Sequence, residues 1–204
     1  MIMWPPEPPL VAILRGLQPE RAVEVAAALF EAGFRAVEVP LNRPGALEAI
    51  RAIALAAPSE AWVGAGTVTE AGQVDAVAEA GGRLIVSPHF DPAVVQRARE
   101  RGLCVVPGVF TASEAFAAWR AGADALKAFP AEALGMAGLQ ALATVLPPGL
   151  PLWPVGGVTP DSLAGWRRAG ATGFGLGGAL FKPELAVAEI AARARDFIAA
   201  WQAS

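Results

Sequence analysis

Eight short apolar runs, each followed by a segment of helical period and recurring about every 20 to 25 residues, predict an α/β fold. The even repeat fits a closed (β/α)8 TIM barrel better than an open doubly wound sheet, and no linker or shift of composition divides the chain. Residues 1–204 are therefore expected to form a single (β/α)8 domain, with the Pro-rich residues 1–9 as an amino-terminal surface arm.

The strand runs are, in order, "LVAIL" from Leu10, "RAVEVP" from Arg35, "AWVGAGTV" from Ala61, "RLIVSP" from Arg83, "LCVVPGV" from Leu103, "DALKAFP" from Asp124, "PLWPVGG" from Pro151 and "TGFGLGG" from Thr172. They are apolar runs more than alternating patterns, as expected of parallel strands covered on both faces. Between them lie helical segments such as "PERAVEVAAALFEAG", "TEAGQVDAVAEAG", "TASEAFAAWRAG" and "TPDSLAGWRRAG", each ending in a glycine stop. Thr69, Asp91, Thr111 and Thr159 are the expected helix caps, with Pro92 and Pro160 just inside. The final segment, "PELAVAEIAARARDFIAAWQ", closes the ring or contributes to a subunit contact.

A hydrophobic content of 54% with 17% charged residues places the 204-residue chain among globular proteins with a sizeable core. The net charge of -3 and the absence of a basic cluster give no reason to expect nucleic acid as a partner. No apolar stretch reaches the roughly 20 residues of a membrane span, and "MIMWPPEPPL" lacks a basic region followed by an apolar one, so a cytoplasmic protein is expected. One cysteine, Cys104, precludes an internal disulfide framework, and with one histidine there is no metal-ligand cluster to propose. The expectation is no metal and no cofactor, with chemistry left to Lys, Glu, Arg, Thr and backbone groups.

In a barrel of this kind functional side chains gather at the carboxyl ends of the strands. Arg15 ends the first run, Glu38 lies in the second, Thr67 ends the third and Lys127 lies in the sixth. Lys127 is one of only two lysines, the other being Lys182. Taken alone, a strand lysine can snorkel to water and a strand glutamate can serve a structural ion pair. Two isolated ionisable groups in apolar runs on different strands point further. A buried amine of lowered pKa attacks ketones to form a Schiff base, and a nearby carboxylate moves protons.

The glycine pairs Gly156–Gly157 and Gly177–Gly178 end the last two strand runs. They permit tight turns, and loops at this place also hold phosphate through backbone N–H groups. Arg15 adds charge to the same anion or binds a carboxylate. His89 reads as a surface or capping residue, Cys104 as a small buried hydrophobe, and the six tryptophans as packing or interface residues.

In order and spacing, "VAILRG", "EVPLNRP", "GAGTVT", "LIVSPHF", "VVPGVFTASEA", "ALKAFPAE", "PVGGVTP" and "GLGGALF" resemble the class I pyruvate aldolases. These cleave 2-keto-3-deoxy-6-phosphogluconate, its galactonate epimer or 4-hydroxy-2-oxoglutarate. The resemblance implies that Lys127 forms the Schiff base and Glu38 transfers protons. It also implies that Arg15, Thr67, Pro88, Phe129 and Val155 meet the substrate, that Gly156, Gly157, Gly177 and Gly178 bind its phosphate, and that the barrel assembles as a homotrimer.

Three positions depart from the gluconate pattern. Asn42, followed by Arg43, stands where those enzymes commonly have arginine, and Val155 stands where they tend to have threonine; both look like the galactonate branch. Ala179 replaces a serine that often serves the phosphate, leaving backbone donors at that place. A phosphate-binding isomerase or synthase, or a non-catalytic sugar-phosphate binder, would share the glycine turns and need no Schiff base.

Overall fold

The computed structural model describes residues 4–204, so the first three residues of the expected arm lie outside the described residues. The chain alternates strand and helix: β1 (Leu10–Ile13), α1 (Ala22–Glu31), β2 (Ala36–Pro40), α2 (Ala46–Ala56), β3 (Trp62–Gly66), α3 (Ala71–Glu79), β4 (Leu84–Val86) and α4 (Pro92–Glu100). Next come β5 (Cys104–Val106), β6 (Gly108–Val109), α5 (Ala112–Arg120), β7 (Leu126–Ala128) and α6 (Ala131–Val145). The order closes with β8 (Leu152–Pro154), α7 (Leu163–Arg168), β9 (Phe174–Leu176) and α8 (Val187–Ala203).

All strand pairs are parallel and fall into two sheets, one of six strands in the order β5-β4-β3-β2-β1-β9 and one of three in the order β6-β7-β8. A bridge between Val155 and Gly175 links the end of β8 to β9. On the other side the sheets are separated only by Pro107. The run expected as a single fifth strand is thus two short ones, because proline has no N–H to give a ladder. The Pro107 carbonyl is still used, accepting from the Lys127 N–H at 2.9 Å.

Strand alternation divides the interior in two. Residues on one face of the strands, such as Leu10, Ala12, Val37, Val63, Ile85, Val105 and Leu126, pack with the helices in the larger core. Residues on the other face, Val11, Ala36, Leu84, Val86, Cys104, Val106, Ala125 and Trp153, form a second apolar cluster contributed by both sheets. Trp4 and Trp62 close that cluster, with the Trp4 ring edge-to-face with Trp62 at 5.1 Å and tilted against Trp153 at 5.2 Å. From Trp4 onward the Pro-rich segment is therefore seated on the amino ends of the strands, and Trp4 Nε1 donates to the Asp124 carbonyl.

Helix boundaries follow local chemistry. Asp91 caps α4 through the Ala93 N–H, and Thr111 caps α5 in a reciprocal box with Glu114. Thr159 caps the 3-10 turn Pro160–Ser162 that leads into α7. The α3 cap is Glu70, one residue beyond the expected Thr69; the Thr69 N–H instead donates to Gln73 Oε1 at 2.8 Å. The α1 and α7 segments close on residues of positive φ, Gly33 (112°) and Gly170 (104°), where a Cβ would be strained. Helix α8 packs along α1 and α7, its Trp201 ring lying 4.1 Å under the Arg167 guanidinium. Among the described residues no helix is long and apolar enough to cross a membrane.

Candidate active site

Glu38 in β2 and Lys127 in β7 belong to the strand face that lies between the two sheets. Each is two residues beyond a member of the apolar cluster, Ala36 and Ala125, so both side chains point into that space. Together with Val11, Ile13, Val86, Val106, Trp153, Val155 and Gly175 they line a small pocket. Glu38 is 2% exposed and Lys127 6%. Neither takes part in a salt bridge formed by the described residues, and Glu38 Oε2 has no hydrogen-bond partner.

Charging such groups without partners is costly, and both shift toward their neutral forms. Burial raises the Glu38 carboxyl to about 7, against the opposing attraction of Lys127 and Arg15. Burial likewise lowers the Lys127 ammonium, with Glu38 opposing and Arg15 reinforcing. The Lys127 amine also sits 4.6 Å from the centre of the Phe129 ring.

The Glu38 carboxylate rests directly on Gly66, where any β-carbon would overlap it. Gly66 thus provides the seat for Glu38, a role that residue type alone did not suggest. The next residue, Thr67, has φ 54°, an uncommon conformation for a residue with a branched side chain.

A larger cleft of about 520 Å³ opens beside this pocket and shares Ile13, Val155 and Gly175 with it. Gly175 lets those walls converge, since a β-carbon there would stand 2.6 Å from Val155 and 3.3 Å from Ile13. The cleft gathers Arg15, Phe129, Val155, Gly156, Gly157, Gly177 and Gly178 from the residues singled out in the sequence. Thr67 and Pro88 are not among the walls of either space. Pro88 packs its carbonyl against Gly108. Thr159, Lys182 and Pro183 also line the cleft, and composition had marked Lys182 only as a rarity. Asn42 and Arg43 lie exposed after β2, with Arg43 bordering a separate hollow beside Gln73.

Cys104 is buried, and burial together with Asp124 pushes its thiol up, away from reactive thiolate. His89 is exposed. Among the described residues no group of three or more His, Cys, Asp or Glu is placed to hold a metal ion.

An amine whose charged form burial disfavours, lining one pocket with a carboxyl that gains and loses a proton near neutral pH, has the equipment to form and hydrolyse an imine with a keto acid. The flanking glycine-walled cleft suits an anionic tail, and parallel α/β folds often place such sites at strand carboxyl ends. That combination defines an enzyme of the class I aldolase kind.

The comparisons agree and are more specific. The sequence profile of the KDPG and KHG aldolase family matches residues 6–193, and the chain belongs to that family. It is 46% identical to a probable 2-dehydro-3-deoxy-6-phosphogalactonate aldolase of Rhizobium meliloti (strain 1021) over 98% of this chain and 94% of the relative. It is 45% identical to the 2-dehydro-3-deoxy-6-phosphogalactonate aldolase of Escherichia coli (strain K12), over 98% of both chains. Among solved structures, a native KDPGal structure superposes with a TM-score of 0.96 at 45% identity, covering 98% of each chain.

Proposed function

We propose that this protein is a metal-independent aldolase that reversibly cleaves a 2-keto-3-deoxy-6-phospho sugar acid to pyruvate and glyceraldehyde 3-phosphate through a Schiff base on Lys127. The galactonate epimer is the favoured substrate, supported by the names of the relatives and by Asn42 and Val155, while 4-hydroxy-2-oxoglutarate is a secondary one. The observation that carries the proposal is the burial of Lys127 with Glu38, both driven toward neutrality, in a pocket that adjoins a glycine-walled cleft.

The neutral Lys127 amine adds to the C2 ketone, and Glu38 supplies the proton with which the C2 hydroxyl leaves as water. The iminium then accepts the electron pair of the C3–C4 bond as it breaks, while the C4 hydroxyl gives its proton to the Glu38 carboxylate and departs as the aldehyde. Glu38 returns a proton to C3 of the enamine, and water hydrolyses the iminium to free pyruvate and the amine. Arg15 and Thr67 contact the substrate and Phe129 and Pro88 lie along its carbon chain, as the resemblance implies, and the four glycines receive the phosphate.

The two sheets are arcs of one (β/α)8 barrel forming a single domain, a reading supported by the Val155–Gly175 bridge on one side and the one-residue gap at Pro107 on the other. The working unit is a homotrimer, as the resemblance implies, and it acts in the cytoplasm. Steady-state kcat/KM for both phosphorylated epimers and for 4-hydroxy-2-oxoglutarate tests the function. Galactonate cleavage is expected to lead, and Lys127→Arg to abolish all three activities. Sugar-phosphate binding without turnover, or full activity in Lys127→Arg, would refute the proposal.

A further inference from the structure

The cleft beside the lysine pocket has walls of unusual charge for a protein of net charge -3. Two cations, Arg15 and Lys182, stand among its walls and no carboxylate does. Neither cation takes part in a salt bridge formed by the described residues. Glu132 packs against Gly156 but is not one of the walls.

Lys182 is carried on a segment that is firmly held. The N–H groups of Leu180 and Phe181 both donate to the Gly177 carbonyl, at 2.8 and 2.9 Å, and both side chains are buried. On the far side of the lysine, Arg21 donates to the Pro183 carbonyl at 2.6 Å and to the Leu185 carbonyl at 2.9 Å. Glu24 fixes the same guanidinium at 3.0 Å. Pro183 in turn packs on Gly16, the residue after Arg15. The loop after β9 is thereby clamped to the loop after β1, and each loop brings one cation to the cleft. Ala179 offers no hydroxyl there, so beside the Thr159 hydroxyl the side-chain contribution to an anion comes from charge.

We propose that Lys182 is a binding and specificity residue for a phosphate monoester, positioned by Arg21, and that with Arg15 it sets a preference for phosphorylated over unphosphorylated keto acids. The role in selectivity rests on the aldolase function above; the role in binding a phosphate dianion does not. A charged hydrogen bond to phosphate is worth about tenfold or more in affinity.

The test measures kcat/KM for the phosphorylated and unphosphorylated 2-keto-3-deoxy sugar acids, with calorimetric titration of inorganic phosphate alongside. Lys182→Met is expected to lower the phosphorylated-to-unphosphorylated ratio about tenfold, chiefly through KM, and to weaken phosphate binding by a similar factor. Lys182→Arg should restore most of both, and Arg21→Gln should lower both by less. Arg51→Met, which removes one exposed charge on α2, should change neither. An unchanged ratio and unchanged phosphate affinity in Lys182→Met, or an equal loss in Arg51→Met, would overturn the proposal. If the protein cleaves neither acid, the aldolase function fails by itself, and the phosphate titration still decides whether Lys182 holds the anion.

Discussion

The space between the two sheets has two ends built from one set of strands, and they differ by a single step of the strand repeat. At the amino end stand Val11, Ala36, Cys104, Ala125 and Trp153, an apolar floor closed by Trp4 and Trp62. Two residues further along the same strands stand Ile13, Glu38, Val106, Lys127 and Val155, which line the reactive pocket together with Val11 and Trp153 of the floor. The floor holds the fold together by removing apolar surface from water, at about 25 cal/mol per Å². The pocket above it retains two ionisable groups that a stability-optimised interior would replace. The dry floor lowers the polarity around Glu38 and Lys127, so packing at one end sets the protonation chemistry at the other.

Substitutions at the two ends should therefore separate activity from stability. Glu38→Gln is expected to lower kcat/KM by about a hundredfold to ten-thousandfold, the range for a lost general acid–base, while leaving cooperative unfolding intact. Leu84→Ala, in the floor and fully buried, should cost about 2–5 kcal/mol in urea unfolding, with kcat per folded molecule changing far less. Equal losses of activity from both variants would erase the distinction.

The pH dependence of stability sharpens the same comparison. The folded protein holds the Glu38 proton more tightly than the unfolded chain does, because its pKa rises from 4.5 to about 7. This contribution to stability is fully present below about 4.5 and is lost as pH rises through 7, a change of roughly 3 kcal/mol. The depressed Lys127 acts in the opposite sense, stabilising at high pH and losing that contribution as pH falls through its folded pKa. Unfolding free energies of wild type and Glu38→Gln between pH 4.5 and 8 should diverge with this sign, and parallel curves would contradict it. The smallest expected effect is at Val155, where Thr keeps the shape but adds a hydroxyl. The ratio of kcat/KM for the two epimers should move by about 1 kcal/mol toward the gluconate acid.

Most of the strand and helix order was legible in the sequence because apolar runs, glycine stops and caps are local signals. Lys127 and Glu38 were legible as charges inside apolar runs, where only an unusual role justifies them. What escaped depends on contacts across the chain. Gly66 matters because Glu38, on another strand, folds over it, and Gly175 matters because Val155 and Ile13 converge there. The clamp from Arg21 to Pro183 and Leu185 joins residues more than 160 positions apart. The division of the fifth run at Pro107 was visible as a proline, but the ladder it interrupts was not. Thr67 and Pro88 were marked by the family motifs, and neither is among the walls of the two spaces.

Reduction with borohydride in the presence of pyruvate, followed by peptide mass analysis, tests the central claim most directly. A stable reduced pyruvate adduct on Lys127, formed only when pyruvate is present, is the predicted result. An adduct on Lys182, or no adduct from protein that cleaves its substrate, would contradict the assignment of the buried lysine as the Schiff-base residue.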